Sequence, residues 1–299
     1  MKNKKAYLAL ATVSVVWGTT FLAIRIGVKS FPPFLFAGIR QFTAGLILWF
    51  ILFFSKRKMV SDRKNTGRQV IAGVLMLTLS NGMVSWAEKY IPSGLTALIR
   101  SVMPIYVVLI NLMGGSLKHH VNWKVLFGIL LGSIGVVLIF RDNLNDLGNI
   151  HYLMGILAVF AATLCYTIGT LYIKAHKNNK TDPLVNIAIQ MSSGGSLLFI
   201  GSFFLDDFSH SSSVSLAGLC ALAYLIIFGS LIAYLCYVYA VNNLPVGLVS
   251  VYTYINPLIA IVVGWLWLRE KVTWITALAF IVTLGGVFFI NKGYKYRKQ

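Results

Sequence analysis

Apolar residues fill this chain in long runs, and polar residues gather in the short links between them. Ten runs can be drawn, near residues 6–28, 33–54, 69–88, 93–113, 123–140, 151–173, 183–205, 214–240, 246–268 and 272–291. About 20 apolar residues carry a helix across the hydrocarbon core of a bilayer. Each run therefore predicts a spanning helix, and together they predict an all-α membrane protein of ten transmembrane helices. No link is long enough for a soluble nucleotide-binding or receptor domain. Composition agrees: 58% of the 299 residues are hydrophobic and 11% charged, and the mean hydropathy of +0.78 lies outside the range of soluble domains.

A net charge of +18 raises the question of nucleic acid, and the placement of the charges answers it. With the N-terminus inside, the inner links and tails hold eighteen of the 26 Lys and Arg, among them Lys2, Lys4, Lys5, the cluster from Lys56 to Arg68, Lys174, Lys177, Lys180, Lys292, Lys295, Arg297 and Lys298. Six of the eight acids, Glu88, Asp142, Asp146, Asp206, Asp207 and Glu270, fall on the other side. This is the positive-inside asymmetry, and it predicts that both termini are cytoplasmic. The basic clusters then read as topology signals and contacts with anionic lipid of the bilayer, and no nucleic-acid partner is expected. Cys165, Cys220 and Cys236 lie in apolar runs and read as buried thiols. His119, His120, His151, His176 and His210 lack metal-ligand spacing, so no metal site is expected. The N-terminus has the charged start of a signal peptide without a convincing cleavage site, and the first span is expected to be retained.

A skeleton recurs along the chain. Pro92, Gly94, Leu95 and Pro104 return as Pro245, Gly247, Leu248 and Pro257, each 153 residues on. These stretches fall in the fourth and ninth spans, which divides the chain into five-helix repeats over residues 1–145 and 146–299. Five is odd, so the second repeat enters the membrane inverted, an architecture common among secondary transporters with a midplane substrate site between the halves. Channels and scramblases can also arise from such repeats.

Further residues carry a family resemblance: Trp17-Gly18-Thr19-Thr20-Phe21 followed by Arg25, Pro32-Pro33 leading to Arg40, Asn256-Pro257, and Trp267-Leu-Arg269-Glu270-Lys271. The chain resembles the drug/metabolite transporter superfamily, specifically its ten-helix members with two EamA domains, over almost its whole length. One departure is that the first-half position matching Glu270 is Leu117, so any role of that glutamate belongs to one half. The resemblance implies a multi-pass carrier of small metabolites, often an exporter of amino acids or related compounds, in the bacterial cytoplasmic (inner) membrane, working by alternating access around a central cavity.

Polar residues at membrane depth supply the candidate site. Arg100 sits about seven residues into the fourth span, on the order of 10 Å from its outer end, and Arg40 lies at similar depth in the second. A charge so placed costs roughly 2.5–3.5 kcal/mol and turns toward the bundle interior. Arg25 is about one turn from its span end, where snorkelling explains it. Glu88 shares a helical face with Ser85 and Asn81 and is the nearby carboxylate for Arg40 or Arg100. Two arginines against one glutamate predict an electropositive outer half of the cavity that attracts a carboxylate or another anionic group; the alternative is purely structural pairing.

Arg100, Pro104, Val107 and Asn111 share one stripe, as do Tyr252 and Asn256. Pro104 and Pro257, deep in their spans, predict kinks that serve as hinges or open a cavity. Trp17 and Thr20, with Tyr166 and Thr167, extend the list, whereas Tyr234, Tyr237 and Tyr239 read as interfacial belt residues. The candidate substrate-binding residues are Trp17, Thr20, Arg40, Asn81, Arg100, Tyr166, Tyr252 and Asn256. Glu88 and Glu270 are candidates for coupling or gating, with a salt bridge to Arg269 or Lys271 as the simpler reading of Glu270.

No phosphate loop occurs, which argues against direct ATP-driven pumping, and no cofactor is expected. A proton or counter-substrate gradient would drive transport, with facilitated diffusion equally compatible. An intramembrane enzyme would need a nucleophile with a base, paired acids or a metal at depth, and the spans supply none of these arrangements. A lipid scramblase or flippase is the other rival.

Overall fold

The computed structural model describes residues 2–55, 61–113, 123–142, 148–176, 181–208, 214–244, 249, 252–270 and 272–295. Pro245, Gly247, Leu248, Leu117, Asp146, three of the histidines (His119, His120, His210), Lys177, Lys180, Lys271, Arg297, Lys298 and the start of the Lys56–Arg68 cluster lie outside them, as does the side chain of Asn111.

All regular secondary structure among the described residues is helical. The helices are α1 (Lys2–Gly27), α2 (Pro33–Phe54), α3 (Arg63–Gly73), α4 (Ser80–Ala87), α5 (Ser93–Arg100), α6 (Met103–Met113), α7 (Trp123–Asp142), α8 (Ile150–Ala175), α9 (Pro183–Leu205), α10 (Leu216–Tyr224), α11 (Ala233–Asn243), α12 (Tyr252–Leu268) and α13 (Trp274–Lys295). A π-helical turn, Val74–Leu79, joins α3 to α4, and another, Leu225–Ile232, joins α10 to α11. Six of these continuous helices are long and apolar enough to cross a membrane. The outward faces of the helices carry apolar side chains, as Phe53, Phe204 and, on α7, Leu130 illustrate, which suits a lipid surround.

Polar side chains mark where helices start. Asp62 accepts the Asn65 amide at 2.5 Å, Asp182 that of Leu184 at 2.9 Å, and Ser215 that of Gly218 at 3.0 Å, each occupying an orphan donor of a first turn. Because Asp62 caps it, α3 begins at Arg63, several residues before the apolar run at 69. Pro33 and Pro183 open their helices, where a missing N–H costs nothing. Two carboxylates act across the chain. Asp206, at the end of α9, accepts from the amides of Phe34 at 3.2 Å and Leu35 at 2.7 Å at the start of α2. Burial pushes its carboxyl above the usual range while those amides and Lys89 pull it back.

The predicted fourth span is broken. Its first part, α5, ends at Arg100, and α6 starts anew at Met103, with a three-residue-type bond from the Val102 amide to the Ile99 carbonyl at 3.1 Å. Pro104 therefore lies in the first turn of a new helix and does not kink a continuous one, a correction to the expectation for that residue. Pro257 does sit inside α12.

Helices meet most closely where glycine replaces a side chain. Helix α2 packs on α9, and α7 on α13. A Cβ on Gly195 would come within 2.3 Å of the Phe42 amide nitrogen, and one on Gly286 within 2.6 Å of both the Gly128 carbonyl and the Gly132 nitrogen. In lipid, where apolar burial gives little drive for association, such backbone approach supplies the dispersion contact. Gly285, next to Gly286, would meet nothing within 4 Å. Gly286→Ala is expected to cost about 1–3 kcal/mol through overpacking, while Gly285→Ala is neutral or mildly stabilising. Thermal unfolding of the two purified variants in detergent checks this, and equal midpoints would refute the packing assignment.

Candidate functional site

Helices α1, α2, α4, α5, α6, α8, α9, α11 and α12, with both π turns, contribute residues to the wall of a cavity of about 110 Å³. Helices α7 and α13 pack against each other and contribute no lining residue. All eight residues singled out as substrate-binding candidates line this cavity, as does Pro257. Pro104, Glu88 and Glu270 do not.

The two arginines are held by the π turns. Arg40, 8% exposed, donates Nε to Ser230 Oγ at 3.0 Å, inside the second π turn. Arg100 donates Nη1 to Ser80 Oγ at 3.1 Å, the residue directly after the first π turn, and its guanidinium lies 5.1 Å from the centroid of the Tyr166 ring, within cation–π range. A π turn widens the helix and is often found at functional sites. Here each one presents a serine to a cavity arginine.

Trp17 anchors an aromatic wall. Its Nε1 donates to the Gly229 carbonyl at 3.1 Å. Its ring centroid lies 5.1 Å from that of Tyr237, 5.2 Å from that of Tyr252 and 6.4 Å from that of Tyr234. Tyr234 lines the cavity and Tyr237 packs behind it, which corrects the belt reading for both. Tyr239 is 40% exposed, in keeping with a belt. The i, i+4 spacing of Ser230 and Tyr234 was the available signal for this face. The amide nitrogen of Asn256, in the orientation its neighbours require, donates to the carbonyls of Tyr252 at 3.0 Å and Ser14 at 2.8 Å. It thereby ties α12 to α1 just before Pro257. Thr20 donates to the Trp17 carbonyl at 2.7 Å, and Asn81 faces the cavity from α4.

Sequence reasoning missed Gln41, Thr163 and Met191, which also line it. The Gln41 carbonyl oxygen is buried without a hydrogen-bond partner.

The acids sit elsewhere. Glu88 is wholly buried, and neither carboxylate oxygen has a hydrogen-bond partner among the described residues. Its charged neighbours are Arg25, Arg100 and Arg40, with Glu270, yet no guanidinium bonds it. Arg25 instead donates to the backbone carbonyls of Glu88 and Ile91, closing the end of α4, which replaces the snorkelling reading. Glu270 accepts from the Ser93 amide at 2.9 Å, Ser93 Oγ at 3.0 Å and the Gly94 amide at 3.3 Å, a carboxylate on the positive end of α5. Arg269 adopts a left-handed backbone, φ 53°, to turn it there. Gly264 leaves room for it, since a Cβ would stand 2.4 Å from Glu270 Oε2.

From Tyr234 a hydrogen-bonded ladder leaves the cavity between α3 and α9. Tyr234 donates to Gln190 Oε1 at 3.0 Å, Gln190 to Gln69 Oε1 at 2.6 Å, Gln69 to Asn65 Oδ1 at 3.2 Å, and Asn65 to Asn186 Oδ1 at 2.8 Å. Gln190, Gln69 and Asn65 are buried.

This arrangement has parallels among known proteins. The model of the EamA-like transporter family matches residues 4–141 and again 153–292. The chain belongs to this family. Among similar transporters is the uncharacterized inner membrane transporter YedA of Escherichia coli (strain K12), 30% identical over 258 residues, 86% of this chain and 80% of that protein. The uncharacterized transporter YoaV of Bacillus subtilis (strain 168) is 24% identical over 98% of this chain and 99% of its own. A probable amino-acid metabolite efflux pump of Escherichia coli (strain K12) is 23% identical over 100% of this chain and 98% of its own. One solved crystal structure, 17% identical, matches with a TM-score of 0.69 over 96% of this chain and 97% of its own, which establishes the shared fold.

In this transporter the ladder is fully paired, so interrupting it strands buried polar groups. Gln190→Leu leaves the Tyr234 hydroxyl and the Gln69 carbonyl oxygen without partners and is expected to cost about 1–3 kcal/mol. Tyr234→Phe leaves the Gln190–Gln69 bond and should cost less. Thermal unfolding of both variants checks the order, and equal or reversed losses would count against the ladder.

Proposed function

We propose that this EamA-family chain is a secondary transporter that exports small polar metabolites, amino acids or related compounds, by alternating access around the cavity. The observation that carries this reading is the convergence of polar and aromatic side chains from seven helices on one cavity, in a chain whose family is one of transporters. The relative named as a probable amino-acid metabolite efflux pump supports both the substrate class and the outward direction.

The ten spans form two inverted five-helix halves, 1–145 and 146–299. The two separate matches to the family model support that division, as do the π turns in the third and eighth spans. Both termini are cytoplasmic in a bacterial inner membrane, a reading supported by the basic inner links and by relatives named as inner membrane transporters. Arg40 and Arg100 hold the substrate, Trp17, Tyr166 and Tyr252 wall it, and Thr20, Asn81 and Asn256 complete its hydrogen bonds. Pro257, inside its helix, and Pro104, beside the break after α5, let the cavity walls bend.

The ladder between α3 and α9 closes the cytoplasmic end, and the Glu270 bonds to α5 close the other. Alternating access then exchanges one closure for the other. A proton or counter-substrate gradient supplies the energy, with Glu88 and Glu270 as its points of action.

Untargeted mass spectrometry of the medium tests the reading, comparing cells that express the wild type with cells that express Arg100→Ala at matched membrane levels. At least one compound is expected to be several-fold enriched by the wild type alone. Equal profiles would contradict export through this cavity.

A further inference from the structure

Among the described residues, the charged side chains that line the cavity are Arg40 and Arg100. Two positive charges removed from bulk water need compensation, and the serines that hold them accept a hydrogen bond without supplying charge. Glu88 does not fill the role. It lies off the cavity wall, and its oxygens bond no donor. Each guanidinium carries five N–H donors in a planar fork. Arg40 uses Nε and Arg100 one Nη1 on protein acceptors among the described residues, which leaves most of both forks available.

A carboxylate matches that fork with two parallel bonds, and two forks match two carboxylates. Among the described residues the wall carries no acid that would meet an ammonium.

We infer that the cavity takes a small organic dianion, a short-chain dicarboxylate, with one carboxylate on Arg40 and the other on Arg100. The inference rests on reading this cavity as the transport site. It departs from a zwitterionic amino acid as the preferred cargo, because an ammonium would add a third positive charge to a wall with no acid among its described residues. The carboxylates take the N–H donors left free, and the bonds of the two arginines to Ser230 and Ser80 stay in place beside the two π turns.

The test uses the full-length protein in detergent and follows its thermal unfolding midpoint against succinate, L-malate, butyrate, succinamide and 1,4-diaminobutane. Succinate is expected to stabilise with a half-saturating concentration at least tenfold below that of butyrate. L-malate, with the same two carboxylates, should also stabilise, and succinamide and 1,4-diaminobutane should give no shift. Arg100→Gln should raise the succinate requirement at least tenfold and Arg100→Lys by less; the wild-type ligand series stands independently if a variant fails to fold. Equal stabilisation by succinamide, stabilisation by 1,4-diaminobutane, or no shift with either dicarboxylate would overturn the inference. In each of those cases a compound exported by the wild type in the mass-spectrometric comparison leaves the transport reading intact.

Discussion

Two guanidinium groups enclosed in a body that faces lipid impose the central constraint on this structure. A charge at membrane depth must face protein or water, and every backbone group freed by a helix irregularity must find a partner there. Arg40 and Arg100 meet the first demand by turning into one cavity, where each bonds a serine and Arg100 also lies over Tyr166. The cavity exists because the helices around it are irregular at that level. Two carry π turns, one is broken after Arg100, and one contains Pro257.

Those irregularities are affordable because the rest of the molecule is rigid by close contact. Glycine lets α2 approach α9 and α7 approach α13 to backbone distance. At the ends, charge is used on backbone dipoles. Arg25 meets carbonyls at the end of α4, while Glu270 and Asp206 meet amides at the starts of α5 and α2. Charges committed in this way are unavailable to neutralise the cavity, which is why its wall keeps a positive surplus even with Glu88 close by.

Much of this was legible in the chain. A polar side chain mid-span has few tolerable environments, so Arg40, Arg100, Asn81 and Asn256 could be assigned inward from depth alone, and the structure gathers them on one cavity. The helical class followed from run length. Other features left weaker marks. Tyrosine near a span end is common at the lipid interface, which masked Tyr234 and Tyr237. A π turn has no residue signature in Val74–Leu79 beyond apolarity, and the break at Ser101–Val102 contains neither glycine nor proline. Pro104 pointed to the right region but was the start of the next helix. The partners of Glu270 and Arg25 depend on backbone groups far along the chain or across a turn, which spacing does not reveal.

The central claim is that these side chains face water inside the membrane. It is tested most directly by cysteine accessibility in a background lacking Cys165, Cys220 and Cys236. Asn81→Cys, on the cavity wall, should react with a small water-soluble methanethiosulfonate reagent in intact membranes, while Leu130→Cys, on the outward apolar face of α7 and 57% exposed, should not. Reaction at Leu130→Cys with none at Asn81→Cys, or none at either, would contradict a wet cavity at this site.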